Sequence, residues 1–298
     1  GIIAMAGMRM ADEGTVLPLL VLRLSGLAWV VGVMQGLCAI ARTVTQIVMA
    51  RRLDAIEYKL PAYIASTFVR GLSLLGAAVA LMFADRLGST PVLVIVLLAL
   101  TVRSIGGALS TLGFTDVIAK AVPTTKRGSL WMWRRLGGLG IALLVSAPFV
   151  KYMIGPRGWL EFPQNFALLL VISVAVSAVA WVLFGLIHES PSRSSSRRLG
   201  VLAHLVHGVR LVRRHREYRR YIRARLLLGA AAGIRPFFVV FASKVWHLSD
   251  EVAGTFLALQ LGAEIVGSVV AGQASDRIGN RSVMIIASVA LTLAAAIA

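Results

Sequence analysis

Three charged residues stand close together in the apolar stretch that opens the chain, in the sequence MRMADEG. Helical spacing puts Arg9 within reach of both Asp12 and Glu13, which follow it by three and four positions. A carboxylate inside an apolar segment can bind a proton or a cation beside a central cavity. The three residues can equally form a cluster that only neutralises itself, and the local sequence leaves both interpretations open.

Other ionisable residues interrupt later apolar segments. Arg103 stands in VRSIGG, Arg235 in GIRPFF and Glu264 in LGAEIVG. Each is costly in lipid and therefore marks a candidate pathway for a solute or an ion. For Arg103, a role in coupling and a structural ion pair carry equal weight. The candidate cavity and coupling residues are Asp12, Glu13, Arg103, Arg235 and Glu264.

The elements that must position these side chains are membrane helices. Hydrophobic residues make up 58% of the 298 residues and charged residues only 15%, with a mean hydropathy of +0.82. A soluble domain carries about 25% charged residues, so the composition predicts an all-α integral membrane protein. Nine apolar runs are long enough to span a bilayer, at roughly 2–23, 27–50, 61–84, 91–113, 130–151, 165–187, 222–243, 251–272 and 282–298.

The distribution of basic residues predicts the orientation. The formal net charge is +18, and the loops after the second, fourth, sixth and eighth runs hold twenty-one Lys and Arg, against five in the other loops. The positive-inside rule therefore places the N-terminus in the cytoplasm. The basic residues lie between apolar runs, which argues against nucleic acid as a partner. Residues 188–221 form a basic linker, and from 199 onwards it is either an amphipathic helix on anionic lipid or a plain solvated segment.

Little in the sequence favours an enzyme or a bound cofactor. The five histidines lie in the linker or in an outer loop without metal-ligand spacing, and Cys38 is the single cysteine. No glycine-rich phosphate loop carries the lysine that such a loop requires. We therefore expect no enzymatic activity, no metal and no cofactor.

A shift of 222 residues aligns the two ends of the chain. It places Gly32 on Gly254, Asp54 on Asp276 and Lys59 on Arg281. The same shift pairs Glu13 with Arg235, and Arg42 with Glu264. These matches fall at equivalent points of the hydropathy pattern, so they indicate a parallel internal repeat of six helices.

The sequence GQASDRIGNR, from Gly272 to Arg281, resembles the cytoplasmic loop motif of the major facilitator superfamily. VPTTKRG after the fourth run and LPLLVLRLSGLAWVVG at the first two runs also resemble that family. The resemblance implies a gating contact that closes the cytoplasmic side. The alternative is a turn that only connects two membrane helices on that side. The candidate gating residues are Gly272, Asp276, Arg277, Gly279 and Arg281, with Asp54 and Lys59 in the first copy.

The resemblance implies two six-helix bundles related by a parallel repeat, the second truncated after about three helices. We expect an N-terminal bundle at 1–187, the linker at 188–221 and a partial C-terminal bundle at 222–298. The implied protein is a monomer in the cell membrane that moves a small solute by alternating access, coupled to protons or another ion. The alternative is a transporter-like membrane protein that senses a ligand or scaffolds a partner without transport.

Overall fold

The structure is a computed structural model that describes residues 1–54, 56–156, 158–191 and 210–297, and those residues contain helices and turns but no strand. The helices are α1 (Ile2–Met10), α2 (Val16–Ser25), α3 (Ala28–Asp54), α4 (Leu60–Met82), α5 (Ala84–Leu87), α6 (Ser89–Ala121), α7 (Thr124–Ile141), a π-helical turn (Ala142–Ser146), α8 (Ala147–Ile154), α9 (Gln164–Gly185), α10 (Arg216–Ala232), α11 (Arg235–Lys244) and α12 (Val252–Ile297).

Six helical segments of the described residues are long and apolar enough to cross a membrane. They are Ala28–Met49, Leu60–Met82, Ser89–Ala121, Ser129–Ile154, Gln164–Gly185 and Val252–Ala271. Each falls on one of the predicted runs, which supports the all-α membrane class. The count of nine spans, the six-helix repeat and the truncation of the second bundle stay predictions.

The first predicted span, 2–23, is not one helix. Helix α1 ends at Met10 and α2 begins at Val16. Between them, Oδ2 of Asp12 accepts hydrogen bonds from the N–H of Gly14 at 2.8 Å and from the hydroxyl of Thr15 at 3.3 Å. Such local side-chain bonds compete with the helical backbone pattern. The prediction of an uninterrupted helix is therefore wrong at these residues.

The span predicted at 222–243 is also interrupted. Helix α10 ends at Ala232, a turn follows at Gly233 and Ile234, and α11 begins at Arg235. Pro236 is the second residue of α11, where its missing N–H costs no helical hydrogen bond.

Close helix packing fixes the position of α6, which carries Arg103. A Cβ atom at Gly106 would lie 2.8 Å from the carbonyl oxygen of Ser66 on α4, so only glycine permits this approach. Hydrogen bonds from serine hydroxyl groups hold helix α1 against its neighbours. Ser173 on α9 donates a 2.7 Å bond to the carbonyl of Gly7, and Ser146 donates a 2.9 Å bond to the carbonyl of Ala6.

The later helices pack against the earlier ones at one end of the bundle. Helix α12 lies against α7 and α8, and α11 lies against α2. A Cβ atom at Gly254 would lie 2.5 Å from backbone atoms of Lys151, so α12 and α8 are nearly in backbone contact there. At the same end, Nε of Arg23 donates a 2.9 Å hydrogen bond to Oδ1 of Asp250, and Lys244 donates one to the carbonyl of Gly26.

The loop motif 272–281 contains a sharp change of direction. Gly279 has φ 80 and ψ 154 inside α12, a conformation that favours glycine. The surroundings of Asp54, Gly272, Asp276 and Arg281 lie outside the described part of the structure. So do residues 192–209 of the predicted linker, which include the first part of the segment expected to rest on anionic lipid; the rest of that segment is described, and 210–214 and 216–221 are helical.

Candidate functional site

A polar pocket of 440 Å³ lies where the two interrupted helices meet α3, α6 and α12. Residues from the Ala11–Gly14 turn and from the Gly233–Pro236 break form part of its wall. Its volume suits a small solute. The charged and amide residues that line it are Arg9, Asp12, Glu13, Gln35, Arg42, Arg103, Arg235, Gln260 and Glu264.

Glu13 is held between two guanidinium groups. Nη1 of Arg103 donates a 2.7 Å hydrogen bond to Oε1, and Nη2 of Arg42 donates a 2.5 Å bond to Oε2. Arg103 is only 4% exposed. A carboxylate shared by two arginines makes charge-assisted hydrogen bonds, which are stronger than those between neutral groups.

Arg9 joins the first helix of the chain to α12. Its Nη1 donates a 3.0 Å hydrogen bond to Oδ1 of Asp12, and its Nη2 donates a 2.6 Å bond to Oε2 of Glu264. Gln260, one turn before Glu264, donates a 3.1 Å bond to Oε1 of that carboxylate. This ion pair is thus a direct side-chain contact across the pocket between elements more than 250 residues apart in sequence.

Side chains also satisfy the carbonyl groups that the break in the first span sets free. Nη2 of Arg103 donates a 3.2 Å bond to the carbonyl of Ala11, and Nε2 of Gln35 donates a 2.6 Å bond to the carbonyl of Glu13. An irregular backbone at membrane depth is tolerated only where such partners replace the helical ones. The pocket and the interrupted helix therefore depend on the same residues.

All five predicted cavity residues line this pocket, and so do the residue pairs that the 222-residue shift relates, Glu13 with Arg235 and Arg42 with Glu264. The predicted contact from Arg9 to Asp12 is present. For Glu13, however, the neighbouring cations are Arg42 and Arg103, so the expectation that Arg9 reaches both acids needs correction.

Gln35 and Gln260 are the polar residues of the pocket that sequence reasoning missed. Each interrupts an apolar helix, and Gln260 precedes Glu264 by four positions, so the two side chains share a helix face. Amides inside apolar runs are a weaker signal than charges. Counting them together with the charges would have identified both residues.

Lys59, a candidate gating residue, belongs to a second charged cluster at the start of α4. Its Nζ lies 2.9 Å from Oδ2 of Asp116, and Nζ of Lys120 lies 3.2 Å from the same oxygen. Lys120 also donates a 2.6 Å hydrogen bond to Oε1 of Glu189. The carboxylate of Glu189 accepts the backbone N–H of Lys59 at 2.9 Å and of Leu60 at 2.7 Å, so it caps the start of α4.

Burial by itself raises the pKa of the Glu189 carboxyl, which lies just beyond the last residue of α9. The hydrogen bond from Lys120 and those from the backbone of Lys59 and Leu60 outweigh burial, and the pKa is lowered from its usual value. Glu189 is therefore ionised at neutral pH. It ties the chain after α9 to the start of α4.

The remaining gating residues are only partly placed. Arg277 is exposed and Gly279 forms the turn, whereas the contacts of Asp54, Gly272, Asp276 and Arg281 lie outside the description.

Within the described residues, no group of three or more His, Cys, Asp or Glu side chains could hold a metal ion. The pocket thus offers paired charges and amides for binding a solute or an ion.

The comparisons with known proteins agree with the helical architecture. A family model described as Major Facilitator Superfamily matches residues 2–298, which is nearly the whole chain. No curated protein matches the chain.

Proposed function

Because the chain belongs to the major facilitator superfamily and is a membrane transporter of that type, we propose that it moves a small solute by alternating access, as a monomer in the cell membrane. The further proposal is that a proton or another ion is coupled to this movement. The observation that carries both is the charged pocket between the two interrupted helices. Transporter sites are commonly built at interrupted helices near the middle of the membrane.

The pocket has walls from both parts of the chain that would move against each other. Arg9, Glu13, Arg42 and Arg103 come from the first six predicted helices, and Glu264 comes from α12. The contact between Arg9 and Glu264 crosses this division. A rocking movement of one part against the other would lengthen this contact, so the pair is a candidate for an interaction that is made and broken in each cycle.

Coupling would act through the carboxylates of the pocket. Protonation of Glu13 would weaken its hold on Arg42 and Arg103 and leave both guanidinium groups available to a solute. Loss of the proton would restore the two ion pairs and favour release. Asp12 and Glu264 are linked to Arg9 and could act in the same way.

Two gates are proposed for the two ends of the pocket. The outer gate consists of the Arg23–Asp250 pair, the Lys244–Gly26 contact and the Gly254–Lys151 approach, which hold one end together. The cytoplasmic gate is the loop motif around Asp276, which would meet the first turn of α7. Under the predicted orientation, the described structure has its outer end closed.

Uptake by the purified full chain in proteoliposomes tests the proposal. A panel of labelled small solutes should include at least one that accumulates under an imposed proton or sodium gradient, and that also exchanges without a gradient. The Glu13→Gln variant should lose gradient-driven accumulation. Stable ligand binding without uptake or exchange under any gradient would contradict transport and favour the sensor interpretation.

A further inference from the structure

A second cavity lies between α1, α6, α7 and α9, close to the end of α6 at Ala121 and the end of α9 at Gly185. Its volume is 610 Å³, within the range of about 300–1,000 Å³ that small-molecule sites occupy. Apolar side chains form most of its wall, among them Phe114, Leu130, Trp133, Ala180, Leu183 and Phe184. The one charged side chain among the described residues that line it is that of Arg134. A ligand of this cavity therefore needs an apolar part.

Arg134 brings a positive charge to this wall. Cζ of its guanidinium group lies 4.4 Å from the ring centroid of Phe114 and 5.0 Å from that of Trp131. These cation–π contacts fix the guanidinium group but supply no negative charge. Among the described residues, Arg134 has no ion-pair partner, and its buried Nε has no hydrogen-bond partner. Because Arg134 lies within the span Ser129–Ile154, a charge without a partner is costly there.

The surroundings of Arg134 place the mouth of the cavity near the membrane surface. Arg134 follows the start of the span at Ser129 by five residues, or about 7.5 Å along the helix, and an arginine side chain can extend that far towards the surface. Trp131 and Trp133 beside it are both exposed, and tryptophan favours the level of the lipid headgroups. Lys126 is exposed, precedes Arg134 by eight positions and lies towards the same face of α7. The predicted orientation puts this surface on the cytoplasmic side.

We propose that this cavity binds an anionic phospholipid of the cytoplasmic leaflet. The phosphate group binds Arg134, and part of an acyl chain occupies the apolar space between α7 and α9. A guanidinium group can donate two parallel hydrogen bonds to phosphate oxygens. Basic pockets between membrane helices on the cytoplasmic side bind anionic headgroups in this way. One molecule thus supplies both the negative charge that Arg134 lacks and the apolar chain that the wall favours.

The charge of Arg134 favours an anionic lipid over a zwitterionic one. Phosphatidylcholine has the same phosphate but adds a cationic group, and no carboxylate among the described lining residues could receive that group. The lipid site shares no lining residue with the charged pocket, so it does not depend on the transport proposal. A bound lipid contacts α6, α7 and α9 at once and holds these helices together.

Lipid titration of the purified full chain in a neutral detergent, followed by native mass spectrometry, tests the proposal. Phosphatidylglycerol and phosphatidylcholine with identical acyl chains differ in headgroup charge, and glycerol 3-phosphate has the phosphate without the chains. The first phosphatidylglycerol should bind about fivefold more tightly than the first phosphatidylcholine, which is the effect of about one basic residue. Glycerol 3-phosphate in excess should not displace it. Equal affinities for the two lipids, or displacement by glycerol 3-phosphate, would overturn the proposal.

Two neighbouring arginines of α7 separate this site from the general positive charge of the protein. Arg134→Gln should weaken phosphatidylglycerol binding about fivefold and remove the preference over phosphatidylcholine. Arg135→Gln is the control, because Arg135 is exposed and does not line the cavity. It removes the same charge from the same part of the helix and should have little effect. An equal loss in both variants would mean that the lipid responds only to surface charge, which would refute the site.

A second pair of variants tests the apolar part of the site and leaves Arg134 in place. Ala180→Phe fills the cavity, whereas Val179→Phe adds the same side chain at an exposed position of α9 outside it. Only Ala180→Phe should weaken phosphatidylglycerol binding, and adding Arg134→Gln to it should cause little further loss, because both changes remove one site. Thermal unfolding without lipid checks that each variant is folded, and the Ala180 and Val179 variants decide the question if Arg134→Gln is not. Unchanged binding in Ala180→Phe, or fully additive losses, would contradict the proposal.

Discussion

Nη1 of Arg103 lies 2.7 Å from Oε1 of Glu13, although ninety residues separate the two in sequence. The pair joins the break in the first span to the middle of α6. A double-mutant cycle with Glu13→Gln and Arg103→Gln should show that each single change destabilises the protein. Glu13→Gln leaves Arg103 without its counter-charge, and Arg103→Gln leaves Glu13 with Arg42 as its remaining paired cation.

The double variant should lose less stability than the sum of the single changes, with a coupling of about 1–3 kcal/mol in thermal unfolding. Glu217 and Arg220, an exposed pair in α10, provide the matched control cycle, and no measurable coupling is expected there. Additive effects at Glu13 and Arg103 would mean that their contact contributes nothing.

Gly254→Ala should open the end of the bundle that α8 and α12 close. The added Cβ atom would lie 2.5 Å from the backbone of Lys151, so the two helices must separate. In a Cys38→Ser background, a cysteine introduced at Met8, in the pocket wall, should react faster with an impermeant reagent added outside. Gly262→Ala in the same helix is the control, because no atom outside the local helix backbone lies within 4 Å of its Cβ position. Unchanged labelling in the Gly254 variant would argue against a gate at this contact.

Asp276→Asn should shift the protein away from the outward-open state, because it removes the charge by which the loop motif would bind the start of α7. The change corresponds to about 1–3 kcal/mol, or several-fold in the populations. The Met8 cysteine should then be labelled faster in inside-out vesicles, and transport should fall. Asp85→Asn, at an exposed position of α5, should have no such effect. Normal transport and labelling in the Asp276 variant would mean that the motif only connects two helices and does not act as a gate.

Glu189→Gln should destabilise the protein by about 1–3 kcal/mol in thermal unfolding, since the side chain is only 3% exposed and accepts three hydrogen bonds from Lys120, Lys59 and Leu60. The exposed Glu217→Gln is its control.

The same carboxyl predicts a dependence on pH. Its pKa is lowered in the folded state, so its stabilisation is complete above the unfolded value of about 4.3 and is lost as the pH falls through the folded value. Unfolding measured down that range should show the wild-type and Gln proteins converging. A constant difference in stability would mean that ionised Glu189 is not the stabilising form.

The predicted orientation can be tested by labelling from outside. In the Cys38→Ser background, a cysteine at Gly158 should react with an impermeant reagent, whereas one at Ser194 should react only after the membrane is permeabilised. The expectation follows from the strong excess of basic residues in the loops that share a side with Ser194. The reverse labelling pattern would place the proposed outer gate on the cytoplasmic side and the proposed cytoplasmic gate on the outside.

The sequence by itself determined the membrane class and indicated five of the charged residues that line the pocket. Long apolar runs predict spanning helices because unpaired backbone groups are too costly in lipid. The same cost makes each charge within a run conspicuous, which is why Asp12, Glu13, Arg103, Arg235 and Glu264 could be selected before their positions were known. Local spacing also predicted the contact between Arg9 and Asp12, which lie three positions apart.

Only the tertiary structure decided which charge meets which. Helical periodicity relates neighbours three or four positions apart, and it contains no information on contacts between helices. The pairs of Glu13 with Arg103 and of Arg9 with Glu264 depend on how α2 packs against α6 and on where α12 packs. The sequence did not predict the break at Asp12 either. The Asp12 side chain bonds the backbone N–H two residues on, which competes with the helix that the surrounding apolar residues favour. The break also needs partners for the released carbonyl groups, and Arg103 and Gln35 reach them only in the folded protein.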